Sequence, residues 1–145
     1  MKSRILAILG LCAALALSAC ASQVSTITAV TTATVPISLA VTAANTFDTV
    51  VPAATTYLQT CAIGSNACAS RAAVAPVAKA VRAGILARKQ VVSLALASCG
   101  VAEPLPATLP ASCASTTIPA TSYNTLVSSY GTLKGILSLY AVKAN

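Results

Sequence analysis

The chain has 145 residues, enough for one domain and hardly for two; it is 57% hydrophobic and 8% charged, and its formal charge is +7. Asp48 and Glu103 are its only acidic side chains and it has no His, so a carboxylate acid–base pair is not expected, and a His-based triad and a His/carboxylate metal site are excluded. So few charges in so apolar a chain also argue against intrinsic disorder, which needs low hydrophobicity.

Residues 1–20 read MKSRILAILGLCAALALSAC: Lys2 and Arg4, an apolar run from Ile5 to Leu17, then Leu17-Ser18-Ala19-Cys20. The run falls short of the roughly 20 apolar residues of a membrane span. The segment resembles a bacterial lipoprotein signal peptide, whose lipobox Leu17 to Cys20 match at every position. The resemblance implies that residues 1–19 are removed and that Cys20 is lipidated, with palmitate-like acyl chains as the membrane anchor; Cys12 leaves with the signal. One acyl chain binds reversibly at about 0.8 kcal/mol per buried CH₂, whereas two or more hold a protein for long times. Ala21 stands where an Asp in that family retains the product in the inner membrane. The implied address is therefore the outer membrane, facing the periplasm.

Residues 20–35 contain Ser, Thr, Ala and Val without charge or Gly and are read as the lipidated Cys and a flexible tether. The same β-branched residues could form an exposed strand, for which the sequence offers no partner. The domain proper is expected over 36–145. From Pro36, at a first-turn position, Ala40, Ala44, Phe47, Val51, Ala54 and Leu58 step by four and three along a first helix, which Pro52 should kink or interrupt. A short fourth helix fits Ser65 to Ala75.

The second helix is expected from Pro76 to about Ser98, with Gly100 just beyond it. Val74, Val77, Val81, Ile85, Val92 and Leu96 form one apolar stripe, and Ala80, Ala83, Ala87, Val91 and Leu94 a neighbouring one. Two stripes imply two neighbours. A third helix runs from Tyr123 to about Lys143 with Tyr123, Leu126, Tyr130, Leu133, Leu137 and Tyr140 in line, Thr121 or Ser122 as N-cap, and Gly131 and Gly135 either weakening it or admitting a close neighbour. The fold class is all-α, an antiparallel three-helix bundle.

With Cys12 and Cys20 set aside, Cys61, Cys68, Cys99 and Cys113 remain, an even number in an oxidising compartment. At about 1.5 Å rise per residue the second helix separates Cys68 from Cys99 by tens of ångströms, far beyond the roughly 7 Å between Cα atoms that a disulfide tolerates. Cys61 and Cys68 flank one connection and Cys99 and Cys113 the other, so the local pairings are expected, each worth about 2 to 3 kcal/mol. Spacing typical of redox or zinc motifs is absent.

Lys79, Arg82 and Lys89 share one side of the second helix, with Arg71 on the same line if the helix starts early. This is either a solvated face or a contact for anionic headgroups or an acidic partner. Arg88 projects inside the apolar stripe; it either pairs with Asp48 or snorkels to solvent. Tyr123, Tyr130 and Tyr140 form a row of the kind that can bind a ligand or partner, and at this spacing they are read as core with hydroxyls at the margin. Lacking a His or a placed base, no Ser or Thr is nominated as a nucleophile. The functional expectation is a non-enzymatic envelope lipoprotein that binds an envelope protein, as a structural module or as a protective lipoprotein of the phage-exclusion or immunity type. No cofactor, metal or nucleic acid is expected.

Overall fold

The computed structural model describes residues 27–62 and 68–141. The signal peptide, Cys12, Cys20 and the end of the third helix near Lys143 lie outside the described residues. The chain is mostly helical, with α1 (Ile37–Ala62), α2 (Val74–Cys99) and α3 (Ala120–Ala141), and each helix packs on the other two. Among the described residues there are also two three-residue strands, β1 (Thr34–Pro36) and β2 (Thr117–Pro119).

The strands add a small two-stranded ladder to the expected helical fold, and they involve the described part of the expected tether, residues 27–35; residues 20–26 lie outside the described residues. β1 and β2 pair antiparallel, with Val35 opposite Ile118, and both of these side chains are buried. Upstream, the Val30 amide donates to Asn124 Oδ1 and the Asn124 amide donates back to the Val30 carbonyl, each at 2.9 Å. Residues 27–35 are therefore held against the domain; the partner that the sequence did not reveal is the segment just before α3. Pro36 accordingly ends β1 and does not occupy the first turn of α1.

The ladder also solves an end problem. The residues just before α1 and α3 are Pro36 and Pro119, which have no polar side chain to cap a helix, although the first backbone N–H groups of a helix have no partner within it. The Ile37 amide donates to the Thr116 carbonyl and the Ala120 amide to the Ala33 carbonyl, both at 2.9 Å. The first amide of each helix is thus paired with the backbone that leads into the other. Thr121 and Ser122, expected as N-caps, lie inside α3, and Ser122 Oγ donates to Gln90 Oε1 of α2 at 2.8 Å.

α1 runs through Pro52 as one continuous helix, so of the two expected outcomes, a kink or an interruption, the interruption does not occur. Proline removes one ladder hydrogen bond, and the buried residues on either side of it, Phe47 and Ala54, hold the helix to the core. Of the expected short fourth helix, Ser65 to Ala75, residues 65–67 lie outside the described residues, and the described part holds a 3-10 turn, Arg71–Ala73, that leads into α2. α2 ends at Gly100, whose amide donates to the Leu96 carbonyl at 2.9 Å and whose left-handed φ of 66° brings the next amide, that of Val101, to the Ala95 carbonyl at 3.3 Å.

The buried face of α2 is made of small residues: Val77, Ala80, Val81, Gly84, Ala87, Val91 and Ala95. Gly84 lies against the fully buried Phe47 ring, in space that any Cβ would enter. Gly131 and Gly135 of α3 have no neighbour where a Cβ would stand, so of their two readings the close neighbour is not realised. Ile85 and Leu96, expected in the apolar stripe, are exposed. Helices approach most closely along small side chains, and this turns the larger aliphatics of the projected stripe outward.

Candidate functional site

Cys61 lies at disulfide distance from Cys68, and Cys99 from Cys113, with Cα atoms 4.6 and 5.6 Å apart. The first pair closes the α1–α2 connection, and the second ties the end of α2 to the segment before β2. Among the described residues no group of His, Cys, Asp or Glu is arranged to hold a metal ion.

Arg88 brings both acids of the chain together. Its Nε lies 2.7 Å from Asp48 Oδ1 and 2.8 Å from Oδ2, and its Nη1 donates to Glu103 Oε1. Glu103 was not foreseen, because it sits in the Pro-rich connection, where helical projection has no meaning. Desolvation works against the guanidinium charge, but the hydrogen bonds to Glu103 and Asp48 and their negative charges outweigh it, so its pKa is raised above the ordinary value. Asn45 Nδ2 donates to the Pro106 carbonyl and Leu105 is buried, so α1, α2 and this connection are fastened together.

The basic face is placed differently for its members. Lys79, Arg82 and Lys89 are exposed along the outer side of α2. Arg71 is also exposed but lies on the 3-10 turn before α2, so the projection that aligned it with the other three does not apply. The same side of α2 carries Ile85, Leu86 and Leu96, exposed to 36%, 63% and 53%. A side of α2 that is both basic and apolar is what the structure adds to the sequence reading. Beside it, between α2 and α3, runs an open groove of about 490 Å³, lined on its polar side by Lys79, Asn124, Thr125, Ser128, Ser129 and Thr132.

No protein-family model matches the chain, and no curated protein and no solved structure matches it. The chemistry available must therefore be read from the side chains alone. The helix-surface hydroxyls of Thr42, Thr46, Thr55, Thr56, Thr125 and Thr132 each donate to the carbonyl four residues earlier, which commits their protons to the backbone.

The tyrosines serve packing. Tyr123 is buried and donates to the Thr28 carbonyl at 2.8 Å, and burial raises its pKa. Tyr130 is buried beneath the Lys134 ammonium, 5.7 Å from the ring centroid. Tyr140 stacks on Tyr57 at 5.5 Å, and the Tyr57 hydroxyl donates to the Ser70 carbonyl. Desolvation and the neighbouring Tyr140 raise the Tyr57 pKa against that hydrogen bond. Among the described residues no buried side-chain polar atom lacks a partner, and no helix is long and apolar enough to cross a membrane.

Proposed function

We propose that the protein is a non-enzymatic lipoprotein of the bacterial cell envelope, anchored through acyl chains on Cys20 in the outer membrane and facing the periplasm. Its helical domain acts there as a structural or protein-binding module. The observation that carries this reading is the sequence Leu17-Ser18-Ala19-Cys20 directly behind a short apolar run headed by Lys2 and Arg4. Two cysteine pairs at disulfide distance suit an oxidising compartment. A domain fastened by cysteine pairs, an ion cluster and a strand ladder, with its helix hydroxyls committed to carbonyls, suits a binding role better than catalysis.

We also read the three helices as an antiparallel bundle. Gln90 of α2 meets Ser122 near the start of α3, while Pro76, early in α2, shares a groove with Thr132, further along α3. Two helices that meet in that order run in opposite directions.

The test is intact-mass measurement of the protein extracted from the membrane fraction. A chain beginning at Cys20 with added acyl mass is expected, and Cys20→Ser should leave the precursor uncleaved. A mature chain that retains Cys12, or starts with an unmodified Cys20, refutes the anchor. Cross-linking in intact envelopes then identifies the bound protein.

A further inference from the structure

We propose that the outer face of α2 rests on an anionic lipid surface, with Lys79, Arg82 and Lys89 at the phosphates and Ile85, Leu86 and Leu96 dipping among the headgroups. A helix that shows apolar side chains flanked by Lys and Arg, on a domain already folded around its other side, has the composition of an interfacial helix. The long stems of Lys and Arg keep their charges at the phosphate level while the apolar side chains lie deeper.

Charge complementarity points to the occupant. The chain has two acidic side chains, and Arg88 engages both on the side of α2 that meets α1. No side-chain carboxylate is left for Lys79, Arg82 and Lys89, so this face carries uncompensated positive charge beside exposed leucines. Near an anionic bilayer each such cation contributes about 1 kcal/mol, about a fivefold gain in partition apiece.

The position of the chain's entry points the same way. Asn124, which clamps Val30, also lines the groove that Lys79 lines from α2. The described chain therefore begins alongside this face. Cys20 precedes Ile27 by seven residues, a reach of at most about 24 Å when fully extended. This step, and only this one, rests on the lipid anchor proposed above.

The protein has no Trp, so one introduced Trp reports its own surroundings. The full chain carrying Leu86→Trp is reconstituted into vesicles of phosphatidylcholine alone or with phosphatidylglycerol, and the same is done with Thr49→Trp, on the exposed outer side of α1. In phosphatidylglycerol vesicles the residue-86 emission should shift to the blue and be quenched by brominated lipid. The shift should vanish at about 1 M salt, where the Debye length is about 3 Å. It should also vanish when Lys79→Glu, Arg82→Glu and Lys89→Glu are combined, while Thr49→Trp stays solvent-like throughout. Equal emission from Leu86→Trp in the two compositions overturns the proposal, as does an equal shift at position 49. Intact mass of the same samples reports the anchor separately, so loss of the anchor and loss of the face contact are distinguishable.

Discussion

Gly84→Ala is the substitution for which the structure and helix propensity disagree most sharply. In an exposed helix Ala is favoured over Gly by about 1 kcal/mol, and on that ground alone the variant should be more stable. At position 84 the new methyl would overlap Cε2 and Cζ of Phe47, and Phe47 is fully buried, so its ring has no open space to move into. Overpacking of this kind costs about 1 to 3 kcal/mol, and an overlap with two ring atoms belongs at the upper end. The net expectation is a loss of about 2 kcal/mol. At about 4 °C per kcal/mol for a domain of this size, thermal unfolding followed by circular dichroism should show a midpoint lowered by about 8 °C. Gly131→Ala and Gly135→Ala meet nothing and should each stabilise by up to about 1 kcal/mol. In a Phe47→Leu background the loss from Gly84→Ala should shrink by at least about 1 kcal/mol, a coupling expected of residues in contact. A Gly84→Ala variant stabilised to the same extent as Gly131→Ala would refute the Phe47–Gly84 contact and the packing of α1 on α2 derived from it.

Asn124→Ala should remove both hydrogen bonds to Val30, cost about 1 to 2 kcal/mol, and speed amide exchange at Val30 while leaving the centre of α3 protected; unchanged exchange at Val30 would argue against the clamp. A double-mutant cycle in urea on Arg88→Ala and Asp48→Ala should give a coupling of about 1 kcal/mol or more, and one with Glu103→Ala, the more exposed acid, a smaller value near the 0.2 to 1 kcal/mol of surface pairs. Raised pKa values at Tyr57 and Tyr123 mean that the unfolded chain loses these phenolic protons first. Stability should therefore hold below the ordinary phenol value of about 10 and fall as pH rises through the folded values, a loss that Tyr123→Phe should lessen in chemical unfolding at alkaline pH. Gly100→Ala meets no neighbour but is held at positive φ, so it should cost about 1 kcal/mol from backbone strain alone.

The three helices were legible because their apolar residues recur at helical spacing and because Pro and Gly punctuate the chain. Gly100 stops α2 where the sequence placed its end, and the cysteines flank the two connections as the helix length requires. What stayed hidden depends on which partner each residue meets. Ile85 and Leu96 belong to an apolar stripe by projection, yet contact forms along Ala80, Gly84, Ala87 and Ala95, because small side chains let helix axes come close. A scale that rewards large aliphatic groups points to the wrong edge of such a helix. The strands were invisible for a different reason: three residues carry no periodicity, and β1 finds its partner more than eighty residues away. Asn124 reads as an ordinary polar helix residue until the Val30 backbone lies beside it. Of the basic face, the cations were evident from spacing, whereas the exposed Leu86 between them was not.

The attachment of residues 27–36 has a mechanical consequence. A pull on the chain upstream of Ile27 reaches Tyr123 and Asn124 first, through Thr28 and Val30, and then the ladder against β2. All of these contacts lead into α3, the last helix in sequence, so tension is delivered to the C-terminal helix before the N-terminal one is loaded. α1 is loaded only once the Asn124 clamp has parted and tension reaches its own first amide, the Ile37–Thr116 hydrogen bond. The domain thus has a short yielding segment in series with its core, which can extend under load while Phe47, Gly84 and the cysteine pairs stay in place.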